Sequence, residues 1–196
     1  MKQITPTNSR YIPFVQQKSC CVPTCILMIM HRHKIPLISQ ELLGYHLGLI
    51  IKKEYKDFFY NPRVGKRPPA GWGTQMYSKK YEPNKVFKKL KIPLGITFFS
   101  VDRFSNSSFK TYLLEVIKKD KDVMVVFDHG KLSGTNKQGG HACIVDKVSL
   151  VKNEIRLIDP SANQPKWRTV KIQKLKKAME FHGGARSGGF WEFNKR

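Results

Sequence analysis

Apolar residues recur along the chain at helical spacing in its first half and at strand spacing in much of its second half. An apolar run that follows Cys21 predicts a buried helix over about 21–33, because Pro23 is tolerated in the first turn of a helix. Ser39 is a suitable N-cap for a second helix over about 40–49, whose leucines share one face. The chain is therefore predicted to begin with two helices.

The middle of the chain combines an irregular stretch with three short regular patterns. Prolines and glycines surround Trp72 between residues 60 and 77, so this stretch is predicted to be a loop that either lines a cleft or forms a surface insertion. The pattern after it predicts a basic helix, a strand and an amphipathic helix, over about 83–91, 95–101 and 107–119.

Strand patterns dominate the remainder of the chain. They predict strands over about 123–127, 141–150 and 155–158, a lysine-rich helix within 170–181 and a final strand over 189–193. Helices in the first half and strands in the second half indicate an α+β fold. We expect one domain over 1–196, with a helical part over about 1–120 and a sheet part over about 121–196.

Composition limits the class of protein. A chain of 196 residues that is 40% hydrophobic has enough apolar side chains for one sizeable core. Its apolar runs are much shorter than the roughly 20 residues of a membrane helix, and no signal-peptide pattern opens the sequence, so no transmembrane segment is predicted. Four cysteines, two of them adjacent, do not resemble a disulfide framework. We expect a cytoplasmic protein, or one exported without a recognisable signal peptide.

The formal net charge of +22 is spread along the chain in lysine pairs. Such a charge attracts acidic proteins and nucleic acids, although solvated helix faces explain it more simply. Neither an RNP-like motif, a zinc-finger spacing nor a glycine-rich phosphate loop accompanies it. An acidic or nucleic-acid partner is therefore predicted from electrostatics alone.

Three residues suggest a catalytic site. Cys21 lies at a predicted helix start, and a helix N-terminus together with a neighbouring imidazolium favours the nucleophilic thiolate form of a cysteine. His141 opens a predicted strand directly after Gly139 and Gly140, which leave room for a substrate backbone. Asp159 ends the adjacent predicted strand, where it would orient the imidazole. The pattern predicts a Cys-His-Asp triad that acts through a thioester acyl-enzyme.

Acyl transfer also needs donors for the developing oxyanion. Gln16 and Gln17 precede Cys21 by five and four residues, and either side-chain amide could serve together with the backbone N–H of the nucleophile. Cys20 is the alternative nucleophile. Cys25 is predicted to be a small core residue.

A metal site is the other chemistry that these residues allow. Cys143 is predicted to face the same side of its strand as His141, because the two are separated by two positions. A zinc set of Cys21, Cys25, His141 and Cys143 is therefore an alternative, but natural sites more often use paired CxxC knuckles. The sequence predicts neither a metal nor a cofactor.

These motifs together resemble papain-fold cysteine peptidases of the double-glycine leader type, which process bacteriocin precursors, and their stand-alone relatives. The matching segments are Gln16 or Gln17, Cys21-Val22-Pro23-Thr24, Gly140-His141-Ala142-Cys143-Ile144-Val145 and Asp159-Pro160. The resemblance implies a papain-like fold, with N-terminal helices packed on a C-terminal antiparallel sheet. It also implies a cysteine peptidase or related thiol hydrolase that cuts a peptide or protein substrate after small residues such as Gly-Gly.

Two non-catalytic functions remain open at this stage. Val22 stands where the family pattern has glycine, and with the +22 charge it suggests a catalytically altered relative that binds nucleic acid or a protein partner. The other is an interaction protein that uses the loop around Trp72 to recognise a partner.

Overall fold

A computed structural model describes residues 9–68, 71–136 and 138–196 of the chain. Its helices are α1 (Cys21–Arg32), α2 (Gln40–His46), α3 (Pro83–Lys89), α4 (Asn106–Lys118), α5 (His129–Ser133) and α6 (Ile172–His182). Its strands are β1 (Ile50–Ile51), β2 (Arg63–Val64), β3 (Leu94–Ser100), β4 (Asp122–Asp128), β5 (Gly140–Ser149), β6 (Glu154–Ile158), β7 (Trp167–Lys171) and β8 (Gly189–Lys195).

An antiparallel sheet of six strands organises the fold. Its strand order is β3-β8-β4-β5-β6-β7, and every neighbouring pair is antiparallel. β3 joins this sheet from within the region that the sequence predicted to be mainly helical. β1 and β2 form a separate two-stranded parallel pair.

Helices cover both faces of the sheet. Met124 and Val126 of β4 belong to the same buried cluster as the apolar residues of α1. Val123 and Val125, one position away, belong to a second cluster that contains residues of α4 and α6. Successive side chains of a strand point to opposite faces, so the fully buried β4 is explained by helices on its two sides. The α+β, papain-like architecture predicted from the sequence is confirmed.

α1 is fixed at both of its ends. Its residues from Val22 to Met30 are buried, and Pro23 lies in its first turn, where the missing N–H costs no helical hydrogen bond. At its other end Arg32 forms an ion pair with Asp122, at 2.5 Å between Nη1 and Oδ1, and another with Asp120. Burial and these ion pairs hold the helix against the sheet and place its N-terminus at the end of the sheet where β5 begins.

Most of the elements predicted from the sequence are present within one to three residues of their predicted ends. Three features were missed: the short helix α5, the edge strand β7 and the β1–β2 pair. The loop predicted over 60–77 contains the two-residue strand β2 and is otherwise irregular where it is described, and its residues 69 and 70 lie outside the described ranges. Within the described part of the chain, no helix combines the length and apolar character needed to cross a membrane.

Candidate active site

Cys21 is the first residue of α1, and its side chain is half-buried in a cleft. The preceding residue, Cys20, occupies the N-cap position and makes no side-chain capping hydrogen bond. The N-terminus of a helix concentrates partial positive charge and unpaired N–H groups, which stabilise an anion there. The position of Cys21 therefore suits a thiolate and an oxyanion formed beside it.

His141 and Asp159 meet where β5 begins and β6 ends. The two strands are antiparallel neighbours, as the sequence predicted, with Ile144 opposite Ile158. Nε2 of His141 lies 2.8 Å from Oδ1 of Asp159. The same carboxylate oxygen accepts a hydrogen bond of 2.9 Å from the backbone N–H of Ser161. Because Nε2 is occupied by Asp159, Nδ1 is the ring nitrogen left to exchange a proton with a nucleophile.

The environment of the His141 ring favours its protonated form. Burial disfavours the charged ring, but the adjacent Cys143 sulfur and the hydrogen bond to Asp159 outweigh burial. The pKa of His141 is therefore well above its ordinary value. Burial also opposes ionisation of Asp159, but the hydrogen bond and charge of His141 hold the pKa of this carboxyl below its ordinary value. The geometry supports an imidazolium between a carboxylate and a thiol.

The remaining three cysteines are fully buried, in contrast to Cys21. Burial raises the pKa of the Cys20 and Cys143 thiols to about 12 and that of Cys25 well above its ordinary value. Cys143 belongs to the buried cluster on the α4 and α6 side of the sheet. Cys25 belongs to the cluster on the α1 side. Among the four cysteines, only Cys21 is partly exposed and lines the cleft that contains His141.

The metal-ligating side chains that lie together in the structure are not the four residues of the zinc alternative. Within the described residues, the only group of metal-ligating side chains in mutual reach is His141, Cys143 and Asp159, whose ligand atoms lie within 4.8 Å of one another. Cys21 and Cys25 do not belong to it. Nη1 of Arg168 lies 3.5 Å from Oδ2 of Asp159, so a protein cation already stands beside this carboxylate. A cation at this distance disfavours the binding of another.

The structure distinguishes the two candidate oxyanion glutamines. Gln16 is half-buried, and its backbone N–H donates a hydrogen bond of 2.9 Å to the carbonyl of Pro160, the residue that follows Asp159. Its side-chain amide oxygen is buried and has no hydrogen-bond partner among the described residues. Gln17 is exposed, and its backbone N–H donates to the side chain of Gln40 at 2.7 Å. Gln16 is thus the glutamine that is anchored next to Asp159.

A narrow cleft surrounds Cys21 and His141. Its cavity is about 30 Å³, and its remaining lining residues are Val22, Trp72, Gly73, Thr74, Met76, Val126, Gly140, His182, Arg186 and Ser187. The loop around Trp72 is therefore a lining of the cleft, which was one of the two interpretations of its sequence. Gly140, His182 and Arg186 also line a wider neighbouring cavity of about 430 Å³.

A glycine keeps the cleft open beside His141. A Cβ atom on Gly140 would lie 2.8 Å from Cε1 of His182, too close for an ordinary contact. His182 is buried and lies 2.8 Å, through Nε2, from the backbone carbonyl oxygen of Arg186. Burial lowers the pKa of His182, so it is a neutral donor to that carbonyl.

Several residues around the site were not predicted from the sequence. His129 contacts the His141 ring edge to face, at 5.3 Å between ring centroids. Arg168 lies beside Asp159, and His182 lies in the cleft. His129 and Arg168 belong to α5 and β7, the elements that were missed. The available signals were Asp128, which caps α5 by accepting a hydrogen bond from Lys131, and Gly134, which ends it in the left-handed conformation.

Comparisons with known proteins support the fold. No family model matches the sequence, and no curated protein matches it. A similar solved structure is the crystal structure of a protein from Bacillus anthracis provisionally described as a C39-like peptidase. It superimposes with a TM-score of 0.56 at 14% sequence identity, over 94% of this chain and 95% of the other. At this identity the similarity establishes a C39-like peptidase fold and not membership of a particular family.

Proposed function

We propose that the protein is a cysteine peptidase, or a related thiol hydrolase, in which Cys21 is the nucleophile and His141 is the general base and acid. The observation that carries this proposal is the position of the His141 ring, which is hydrogen-bonded through Nε2 to Asp159 and lines the same narrow cleft as the partly exposed Cys21. Asp159 fixes the tautomer of the ring and compensates its positive charge. The C39-like fold of the chain agrees with this activity.

The proposed reaction assigns one group to each step. The thiolate of Cys21 attacks the carbonyl carbon of the scissile bond, forming a C–S bond while the carbonyl oxygen becomes an oxyanion. The side-chain amide of Gln16 and the backbone N–H of Cys21 stabilise that oxyanion. His141 then gives its proton to the leaving amine as the C–N bond breaks, which leaves a thioester. Water attacks the carbonyl carbon of the thioester while His141 accepts the proton that this water loses. The C–S bond then breaks, which releases the new carboxyl terminus of the peptide and returns the thiolate of Cys21 and the protonated His141.

The shape of the cleft supports substrates with small residues at the scissile bond. Trp72, Met76 and Val126 narrow the space in front of Cys21, while Gly73 and Gly140 leave room only for backbone. An extended peptide with glycine or alanine before the scissile bond fits such a cleft, whereas a bulky side chain would contact the wall. A peptide ending its recognition sequence in Gly-Gly is therefore the substrate class that we propose.

Two alternatives to peptide hydrolysis concern the same site. Transfer of the acyl group to an amine acceptor, with the same thioester, remains a variant of the proposed chemistry. A catalytically altered relative would keep the fold without a reactive thiol. The described residues add nothing to its support beyond the +22 charge of the sequence.

Cleavage of a peptide library with small residues at the scissile bond tests the proposal. We expect Cys21→Ala to abolish cleavage and Cys143→Ala to lower it much less, because the Cys143 thiol lies beside His141 but is fully buried and does not line the cleft. Acid quenching during turnover, followed by mass mapping of the acylated residue, identifies the nucleophile, and loss of this mass after treatment with hydroxylamine shows that the bond is a thioester. Equal losses in the two variants would refute the assignment of Cys21. Full activity of Cys21→Ala would refute the thiol mechanism at this residue.

A further inference from the structure

Arg168 is a buried cation directly behind the candidate catalytic pair. It lies on β7 opposite Leu157, two residues before Asp159 in the neighbouring strand. Its side chain is 12% exposed, and that of Asp159 is fully buried. A guanidinium at this depth is costly unless a negative charge compensates it. Nη1 of Arg168 lies 3.5 Å from Oδ2 of Asp159, which provides that charge.

The two oxygens of Asp159 have different partners. Oδ1 accepts hydrogen bonds from Ser161 and from His141 when Nε2 carries its proton. Oδ2 is buried and makes no hydrogen bond with the described residues, so the ion pair with Arg168 is its compensation among them. Without Arg168 this carboxylate would have a buried oxygen with neither water nor a cation. It could then regain a partner only by rotating, which would move Oδ1 away from His141.

Arg168 is also connected to the other side of the His141 ring. Its Nη2 donates a hydrogen bond of 3.0 Å to Oγ of Ser133 on α5. That oxygen lies 3.4 Å from Nε2 of His129, whose ring packs against His141. The backbone N–H of His129 donates to the carbonyl of Gly139 at 2.8 Å, two residues before His141. The planar guanidinium therefore reaches Asp159 and α5 at the same time, which the single ammonium group of lysine does not do.

We propose that Arg168 is a positioning residue for the reaction: by holding Oδ2 of Asp159 and Oγ of Ser133 it fixes the carboxylate in the orientation that presents Oδ1 to His141. This proposal rests on the proposed function of Cys21, His141 and Asp159. Arg168 itself touches no reacting atom, and it acts through Asp159.

Substitutions at Arg168 separate positioning from simple packing. Arg168→Met keeps the length and burial of the side chain but removes its charge, and Arg168→Lys keeps the charge but not the planar fork. Arg156→Met is the matched control, because Arg156 has the same exposed fraction of 12% and also pairs with a fully buried aspartate, Asp146, in the same sheet. The kcat, KM and pH profile of peptide cleavage are measured for each variant, with a thermal melt to confirm folding.

For Arg168→Met we expect kcat to fall about tenfold or more while KM stays within about twofold of the wild-type value. An orienting carboxylate itself contributes a factor of up to about 10⁴ to kcat, so partial loss of its orientation accounts for a fall of this size. The basic limb of kcat/KM should move to lower pH, because a displaced Asp159 no longer raises the pKa of His141 through its hydrogen bond. Arg168→Lys should lie between the wild type and Arg168→Met. Arg156→Met should keep both kcat and the pH limb of the wild type, whatever its loss of thermal stability.

A double-variant cycle tests whether Arg168 acts through Asp159. In the Asp159→Asn background, Arg168→Met should change kcat by less than about twofold, because the oriented carboxylate is already absent. A full tenfold effect in that background, or a kcat of Arg168→Met equal to the wild type, would overturn the proposal. If Arg168→Met does not fold, an Arg168→Lys variant with unchanged kcat and pH limb overturns it equally.

Failure of the proposed function has a different signature. A wild-type protein without Cys21-dependent cleavage and without a reactive Cys21 thiol would refute the catalytic site itself, and with it the role of Arg168. A wild-type protein that cleaves peptides, with Arg168 variants that behave like the Arg156 control, would refute only the role of Arg168.

Discussion

Selective alkylation of Cys21 in the native protein provides a quantitative check of the site. At neutral pH the reacting species is the thiolate, and burial raises the pKa of Cys143 to about 12 against about 8.5 for an ordinary thiol. This difference lowers the thiolate fraction of Cys143 by roughly 3000-fold. A thiolate whose thiol has a higher pKa is intrinsically more nucleophilic, with a Brønsted slope of about 0.4–0.5, so the Cys143 thiolate reacts roughly 30-fold faster than an ordinary thiolate. The net disadvantage of Cys143 is about 100-fold even before its burial restricts access to the reagent.

Cys20 has the same raised pKa of about 12 and is also buried, so the same disadvantage applies to it. If Cys21 reacts only as fast as an ordinary accessible thiol, its labelling rate in the native protein is already about 100 times that of Cys143 or Cys20. The assay uses a limited dose of iodoacetamide at pH 7, a rapid quench, and mass mapping with fragmentation between Cys20 and Cys21. Labelling in urea is the control, since the four rates should become similar once the chain is unfolded. A native rate for Cys143 or Cys20 within tenfold of that for Cys21 would refute this reasoning.

Two further predictions concern the cleft and the charge of the histidine. Gly140→Ala should lower kcat/KM for peptide cleavage at least about tenfold, because its Cβ would lie 2.8 Å from Cε1 of His182. Gly139→Ala is the control and should be close to wild type in the same assay, because its Cβ would have no neighbour within 4 Å. Equal activities of the two variants would contradict the tight cleft. The stability that His141 contributes through its raised pKa should be fully present below about pH 6.5 and lost as pH rises through its native pKa. Urea unfolding at a series of pH values should therefore show the difference between wild type and His141→Gln shrinking with rising pH, and a constant or growing difference would count against this protonation.

The fold was largely predictable because its strongest sequence signals coincide with its core. The apolar run after Cys21 becomes the buried helix α1, and the run at 123–127 becomes the fully buried strand β4. Ser39 caps α2 by accepting a hydrogen bond from Leu42, as its position suggested. In each case a local pattern and a tertiary environment demand the same structure.

The missed elements lack such agreement. β7 is an edge strand whose residues are half-buried or exposed, so its apolar content is low, and its register depends on pairing with β6. α5 has five residues, fewer than an isolated helix needs, and is stabilised by its caps and by contacts with α6. Local spacing carries little information on either element.

The candidate site was predictable in its residue types but not in its supporting contacts. Cys21, His141 and Asp159 were identified by motif order, and their assignment as a triad stays a prediction that the geometry supports. Arg168 was beyond sequence reasoning, because its contact with Asp159 is made between two strands, one of which was not predicted. The choice between Gln16 and Gln17 likewise depended on the backbone hydrogen bond from Gln16 to Pro160, two residues that lie far apart in the sequence.

The strand order of the sheet has a consequence for how the protein is made. β8, at Gly189–Lys195, lies between β3 and β4, so β3 is joined to the other strands only through the strand that follows all of them in sequence. Synthesis proceeds from the N-terminus, so α1 leaves the ribosome long before the sheet on which it packs is complete. A nascent chain would therefore carry Cys21 before the sheet that orients His141 and Asp159 is finished, and the proposed site would be assembled only once β8 has been synthesised.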